Sequence, residues 1–212
     1  MAIKKIYDRK CVYSKCKIKF TPTSSTQTAH TMECAIKHAK ELSEKKKAKI
    51  NASEKQILKK AITGLPELKK LLEAQINGIC RLLDKGSGCI SCGGHTTPQA
   101  GHYHTVQSNG SIRFNLFNVH LQDYNCNCAK GGNMHNYDLG LIKVYGKEYW
   151  EYVKFELPKM YPVLKLTKPE IEEAIFKARE LTKTIKKADI TYSVEQRIRL
   201  REEYNKFIGI YV

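Results

Sequence analysis

The placement of the eight cysteines constrains this 212-residue chain more than any other feature of its sequence. Seven of them fall into two groups that also contain histidines, one near the start of the chain and one in its central third. The first residues lack the apolar segment of a signal peptide, so we expect a reducing, cytoplasmic environment, where clustered cysteines bind metals more often than they form disulfides. The eighth, Cys80, lies on the apolar face of a predicted helix and is interpreted as a small core residue.

The formal net charge of +16 indicates a polyanionic partner. Nucleic acid is the commonest polyanion inside a cell, so DNA is the expected partner. A membrane partner is not expected, because no apolar run approaches the ~18 residues that span a bilayer. The basic helices also lack the bulky aromatic face of a helix that lies on a membrane surface.

Residues 1–40 are predicted to form an N-terminal zinc-binding module. Cys11 and Cys16 precede a short β-like segment and a Thr/Ser-rich loop, and Cys34 and His38 enter a helix. Residues four apart lie on one helix face, so Cys34 and His38 are predicted to complete a tetrahedral site with the first two cysteines. The alternative is a free-thiol segment with a surface histidine.

Basic helices are predicted on both sides of the central third. Residues 41–86 form a helical arm in which Lys45, Lys46 and Lys47 either contact DNA or belong to a solvated face. A capping box at 53–56 predicts a new helix start and "GLP" at 64–66 a break. Leucines and isoleucines at helical spacing follow that break and predict a face packed on the core: Leu68, Leu72, Ile76, Ile79 and Leu83.

Residues 151–212 are predicted to form a helical tail. Capping boxes at 167–170 and 193–196 start its two helices. The apolar face of the first comprises Ile171, Ala174, Ala178, Leu181 and Ile185, and that of the second Val194, Ile198 and Tyr204.

The chemistry is expected in residues 87–150, where a C-x2-C pair is followed by several histidines and a second cysteine group. "AGHYHT" and "SIRFN" predict two strands joined by the turn "QSNG", and a helix is expected after "NCN". Two antiparallel strands and a helix pinned by zinc form the ββα-metal core of HNH (His-Me finger) nucleases. The predicted fold class is therefore α+β.

Phosphodiester hydrolysis needs a base to activate water and a cation to neutralise charge. His102 at the end of the first strand is the leading base, and His104 is the alternative. Asn127 directly follows a zinc cysteine and is the expected ligand of Mg²⁺ or Mn²⁺. His120 is a second candidate for a metal or phosphate contact.

Three further residues complete the predicted site. Asn118 lies where a structural asparagine positions the histidine loop, and Arg113 and Lys130 are the nearest cations for the scissile phosphate and for DNA. Each histidine alone is more often a hydrogen-bonded core or surface residue. Taken together, C-x2-C, G-H-x-H, N-x-H and C-N in this order favour a nuclease site.

These motifs resemble the lambdoid phage NinG/Rap recombination endonucleases. The likeness runs through "CISCG", "AGHY", "RFN", "NVH", "CN" and "GN", and extends more weakly to the flanking segments. It implies a structure-specific endonuclease acting on branched recombination intermediates, including Holliday junctions and D-loops, in the host cytoplasm. It also implies that recombination proteins of the phage or host are partners, and His102 takes the position of the family histidine.

Two departures from that pattern affect the metal sites. Gly101 stands where many HNH proteins have an acidic metal ligand, which leaves Asn127 as the clearest ligand of the catalytic cation. Asp123 stands where the family usually has a zinc cysteine. A carboxylate is an acceptable zinc ligand, so the first choice for the core zinc is Cys89, Cys92, Asp123 and Cys126. Cys128 in place of Asp123 is the second choice, and loss of the metal is the third.

Three functions remain open from the sequence. The first is the structure-specific endonuclease, for which a homodimer is expected because a junction has two symmetric strands. The second is a less selective HNH DNA nuclease. The third is a zinc-dependent DNA-binding accessory protein without catalysis.

Overall fold

The computed structural model describes residues 7–211, apart from the side chains of 56–62. It has the predicted α+β composition, with small two-stranded sheets among helices. The chain divides into two compact units, residues 1–63 and 64–212. This division falls inside the predicted arm, 41–86, and places its two helices in different units. None of the described helices is long and apolar enough to cross a membrane.

The first unit contains one short hairpin and one long helix. Strands β1 (Arg9–Lys10) and β2 (Lys19–Phe20) pair antiparallel, and α1 runs over Met32–Ile62. The helix continues through residues 53–56 without the predicted restart. The small apolar cluster of this unit is built around two cysteines, Cys11 and Cys34, and one alanine. So small a core gives little hydrophobic stabilisation.

The second unit begins with α2 (Leu65–Leu83), which starts at the predicted Gly-Leu-Pro break. Its five predicted apolar positions and Cys80 are buried, as expected. They pack mainly against α6 (Lys168–Ala188), whose predicted apolar face is also buried. Each Å² of apolar surface that is removed from water contributes about 25 cal/mol to the free energy of folding. The two helices therefore form the core on which the central hairpin rests.

The central hairpin differs from the predicted one in its second strand. Strand β3 (Pro98–His102) pairs antiparallel with β4 (Val119–Asp123), and His102 lies opposite Val119. The segment "SIRFN" instead forms a 3₁₀ turn at Gly110–Ile112 and a loop. The apolar side chains of this segment are buried. Asn115 caps the next 3₁₀ turn, Leu116–Asn118, by accepting a hydrogen bond from the Phe117 amide. Because this capping needs a turn, it competes with extension into a strand.

A single π-helical turn, Asn125–Ala129, follows β4 and carries the "NCN" segment. Turns of this type are rare and are frequent at functional sites. The longer helix expected after "NCN" begins only at Met134, as α3 (Met134–Tyr145). Two short helices, α4 (Lys147–Glu151) and α5 (Leu157–Met160), flank a second π-helical turn and complete an aromatic cluster with α3.

Both C-terminal helices start at the predicted capping boxes. In the second, α7 (Val194–Ile208), the predicted Ile198 and Tyr204 are partly buried against the apolar clusters. Its buried residues form a mainly polar stripe: Arg197, Arg201, Asn205 and Ile208. Arg201 donates two hydrogen bonds of 2.8 Å to the Asp84 carboxylate. That carboxylate also accepts from the amide of Leu121 in β4 at 3.0 Å. The end of α2, the hairpin and α7 are thus joined through one buried ion pair.

Candidate active site and metal centres

The first unit brings four potential zinc ligands together. Cys11, Cys16, His30 and Cys34 place their ligand atoms within 4.8 Å of one another. His30 Nδ1 lies 3.4 Å from the Cys16 sulfur. Burial alone would raise the pKa of Cys11, but hydrogen bonds involving His30, Tyr13 and Cys16 lower it to about 6. The thiolate that binds zinc is therefore favoured at neutral pH.

The predicted ligand His38 is not part of this cluster, and His30 takes its place. Four residues along a helix correspond to a rise of about 6 Å, which carries His38 one turn beyond Cys34. His30 instead lies in the loop before α1, which folds back over the cysteines. A closed set of three sulfurs and one imidazole suits structural zinc.

The second candidate zinc centre lies beside the hairpin. Cys89, Cys92 and Cys126 place their sulfurs within 4.8 Å of one another. Sulfur atoms bound to one zinc at about 2.3 Å would be about 3.8 Å apart, so the three cysteines fit a tetrahedral ion. Asn133 Nδ2 lies 3.4 Å from the Cys126 sulfur. Such a contact orients a ligand from outside the coordination shell.

Neither predicted fourth ligand lies within this group of three. The Asp123 carboxylate accepts from the Thr96 hydroxyl at 3.2 Å. It is still a neighbour of the site, because a Cβ added at Gly94 would lie 2.6 Å from Asp123 Oδ2 and 3.4 Å from the Cys92 sulfur. Cys128 is exposed, and its sulfur lies 3.5 Å from Gln99 Oε1. Of the two, Asp123 is the better placed.

His102 lies at the end of β3 with its ring toward α2. Its Nε2 donates to the backbone carbonyl of Arg113 at 2.9 Å, because a carbonyl can only accept. In the neutral ring, Nδ1 is therefore the nitrogen that accepts a proton. Burial lowers the pKa of His102, partly opposed by the Arg113 carbonyl and by Glu73, whose Oε1 lies 3.9 Å away. The ring is thus neutral at pH 7, as a general base requires.

Asn118 fixes the loop that follows His102. Its buried side chain accepts from the His104 amide at 2.8 Å and donates to the His104 carbonyl at 3.0 Å. His104 itself lies beyond the strand, and its Nε2 donates to the carbonyl of Val153 at 3.0 Å. The two histidines therefore point to different parts of the second unit, and His102 alone is adjacent to the strand residue that faces Asn127.

Asn127 approaches β3 from the π-helical turn. Its Nδ2 donates to Gln99 Oε1 at 2.9 Å, and a Cβ added at Gly101 would lie 3.2 Å from its Oδ1. Gly101 and Gln99 share one strand face because side chains alternate, and His102 belongs to the other. Asn127 therefore lies against the residue that directly precedes the candidate base in the strand.

The surroundings of His120 do not suit the predicted metal or phosphate contact. It is 1% exposed, and its two ring nitrogens lie 3.0 and 2.8 Å from the hydroxyls of Tyr137 and Tyr149. The Tyr137 hydroxyl donates to the Gly101 carbonyl at 2.9 Å. His120 therefore donates to Tyr137 and accepts from Tyr149. Burial, assisted by Arg201 and Arg197, holds the pKa of His120 well below its usual value.

The side chains predicted to contact DNA differ in how freely they can reach a phosphate. Arg113 forms an ion pair with Glu73 and has 18% of its side chain exposed, so it is not free to meet a phosphate in this state. Lys130 is exposed at the end of the π-helical turn. Lys45, Lys46 and Lys47 are exposed on α1, in the first unit.

Three residues beside the candidate sites were not among the residues predicted from the sequence. His30 carries a signal, since "HTMEC" gives an H-x3-C spacing before the helix. Glu73 lies on α2, whose sequence pattern predicts only a face packed on the core. Nothing in the sequence links Glu73 to His102. Gln122 is fully buried, and its Oε1 has no hydrogen-bond partner among the described residues.

Comparison with known proteins agrees with the resemblance seen in the motifs. Residues 3–189 match the family described as bacteriophage lambda NinG protein. The protein ninG of Escherichia phage lambda is 32% identical over 156 residues, which cover 66% of this chain and 76% of that protein. The protein ninG of Salmonella phage P22 is 31% identical over 154 residues, 65% of this chain and 76% of that protein. No solved structure matches the chain. The chain belongs to the bacteriophage lambda NinG protein family.

Proposed function

We propose that this protein is a metal-dependent, structure-specific DNA endonuclease that cleaves branched recombination intermediates such as Holliday junctions and D-loops. The proposal rests mainly on the position of Asn127, whose side chain lies against Gly101. Gly101 directly precedes His102 in β3, and the hairpin of β3 and β4 lies beside the cluster of three cysteines. The order of the hairpin, the following π-helical turn and α3 supports the proposal of an HNH core.

In the proposed reaction, His102 Nδ1 takes a proton from a water molecule whose oxygen attacks the phosphorus atom. The bond from phosphorus to the leaving sugar oxygen breaks, and that oxygen takes a proton from solvent. The Arg113 carbonyl keeps the His102 ring oriented, and Asn118 keeps the loop between them closed. Mg²⁺ or Mn²⁺ held by Asn127 would neutralise charge on the phosphate and the leaving oxygen. An amide oxygen is a suitable ligand for such a hard cation.

The two zinc centres have a structural role in this proposal. Zinc at Cys89, Cys92 and Cys126, with Asp123 as the fourth ligand, would fix the residue before Asn127. Zinc in the first unit would hold the cysteine module at the start of the basic helix α1. A homodimer is proposed because two equivalent strands of a junction are cut.

Cleavage of a four-way junction tests the proposal directly. Purified, zinc-loaded protein is incubated with a labelled junction and with a linear duplex of the same sequence, with Mg²⁺, with Mn²⁺ and with EDTA. We expect cation-dependent cuts near the branch point and much slower cleavage of the duplex. Equal rates on the two DNAs would favour the less selective nuclease. Tight junction binding without cleavage under either cation would favour the non-catalytic accessory protein.

A further inference from the structure

Gly101 occupies a position where a side chain has no room. A Cβ added there would lie 1.9 Å from Gln122 Oε1 and 3.2 Å from Asn127 Oδ1. The backbone at Gly101 is part of β3, with no positive φ, so any residue could adopt its conformation. Two amide oxygens therefore point into the space that an acidic side chain at position 101 would fill.

The orientation of the Gln122 amide is fixed by its nitrogen. Nε2 donates to the Ser91 hydroxyl and to the Gly132 carbonyl, both at 2.7 Å. A carbonyl can only accept, so the amide cannot be reversed. Oε1 must then face Gly101. Gln122 lies in β4 opposite Gln99, on the same side of the hairpin as Asn127.

The Gln122 oxygen is buried, with no hydrogen-bond partner among the described residues. A buried acceptor left in this state is destabilising, because it has lost its hydrogen bond to water and gained none in return. A hard divalent cation that takes both amide oxygens would satisfy it. The Asn127 amide donates its Nδ2 to Gln99 Oε1, and its Oδ1 lies on the side of Gly101.

We propose that Gln122 Oε1 is a second protein ligand of the catalytic divalent cation, in place of the acid that Gly101 lacks. The inference rests on the proposed function, since it concerns the same cation. Both oxygens belong to neutral amides, so the protein contributes no charge to the site. The DNA phosphate supplies that charge, and the cation binds tightly only when DNA is present.

Binding of Mn²⁺ tests the inference without relying on cleavage. Electron paramagnetic resonance counts free Mn²⁺ in titrations of the zinc-loaded full chain bound to a four-way junction, in a His102→Ala background that keeps the DNA intact. We expect Gln122→Leu to weaken Mn²⁺ binding by about tenfold or more, and Asn127→Ala to do the same. Gln122→Glu keeps an oxygen and adds charge, so it should bind Mn²⁺ at least as tightly as the parent.

An exchange of side chains separates a ligand from a packing residue. Gly101→Asp alone should clash with Gln122, but Gly101→Asp combined with Gln122→Ala provides both the space and a carboxylate. We expect this double variant to recover the Mn²⁺ affinity lost in Gln122→Ala. Zinc content and melting temperature identify any variant that fails to fold.

The possible results distinguish this inference from the proposed function. Unchanged Mn²⁺ binding in folded Gln122→Leu, with loss in Asn127→Ala, would overturn the role of Gln122 alone. Equal loss in Gln122→Leu, Gln122→Glu and the double variant would show that the amide acts through its hydrogen bonds, and would also overturn it. A parent that binds no Mn²⁺ on DNA, together with a wild type that cuts no junction, would overturn both.

Discussion

At the residue scale, His102 combines burial with a fixed ring orientation. The Arg113 carbonyl holds Nε2–H, and Glu73 lies close enough to favour the charged ring, while burial disfavours it more strongly. The same Glu73 pairs with Arg113. One carboxylate on α2 therefore restrains both the candidate base and the residue whose carbonyl orients it.

The lowered pKa of His102 predicts how the cleavage rate depends on pH. The ring acts as a base only when neutral, so the rate falls as pH decreases through its pKa. Because that pKa lies below the ordinary value of about 6.5, activity should persist to correspondingly lower pH. Single-turnover cleavage between pH 5 and 9, with zinc content checked at each pH, gives the midpoint.

Substitution of Glu73 by glutamine provides the matched variant for this pH dependence. The carboxylate favours the charged form of His102, so its removal should move the acidic limb to still lower pH. A midpoint at or above 6.5, or one that does not respond to Glu73→Gln, would contradict the assignment of His102.

At the element scale, the segment before α1 is held together by its cysteines. Apart from Cys11, Ala29 and Cys34, its cluster contains only partly buried side chains. Strands β1 and β2 contribute two residues each. Neither apolar burial nor sheet pairing of this size is sufficient for an independent fold.

Removal of zinc should therefore unfold this segment first. We expect a chelator to abolish the chemical-shift dispersion of residues 7–34 in NMR spectra, while α2, α6 and α7 keep theirs. His30→Ala should weaken zinc binding at this centre far more than His38→Ala, which serves as the control. A stronger effect of His38→Ala would restore the ligand set predicted from the sequence.

Most helix starts were predictable from a local rule, although the capping box at 53–56 lies inside α1, and the second strand of the hairpin was not predictable. The capping boxes at Thr167 and Ser193 and the apolar face of α2 follow from spacing alone. The segment "SIRFN" has a strand-like composition, but the cap made by Asn115 and the burial of its neighbours produce turns. This outcome depends on tertiary contacts, for example the Asn115 side chain accepting from Asn205 of α7 at 2.9 Å.

The candidate site likewise combines residues that the local sequence indicates with residues that only tertiary contacts bring together. Spacing indicated Cys89 and Cys92, because a C-x2-C turn directs both sulfurs to one ion, and the family resemblance selected Cys126. It could not indicate His30 over His38, since a loop path and not a helical period brings His30 to the cysteines. Nor could it show that His120 lies inside an aromatic cluster, because burial of a histidine is set by helices far along the chain.

At the scale of the whole molecule, the net charge of +16 predicts DNA binding that weakens steeply with salt. Each phosphate neutralised contributes about −0.9 to the slope of log K against log salt for duplex DNA. Replacing Lys45, Lys46 and Lys47 by glutamine should reduce that slope by up to about 2.7 if all three contact phosphates.

The matched control removes the same charge elsewhere. Lys183, Lys186 and Lys187 are exposed on α6, and their replacement by glutamine changes the net charge equally. Binding of a fluorescent junction between 50 and 300 mM salt should show a larger slope change for the α1 variant. Equal changes would mean that the α1 lysines form only a solvated face.

Single-turnover junction cleavage by zinc-loaded variants shows whether His102 and Asn127 act together in DNA cleavage. We expect His102→Ala and Asn127→Ala each to reduce the rate by about 10²–10⁴-fold while junction binding is retained, and His104→Ala to have a much smaller effect. Wild-type rates in both His102→Ala and Asn127→Ala would rule out the proposed catalytic roles of the two residues.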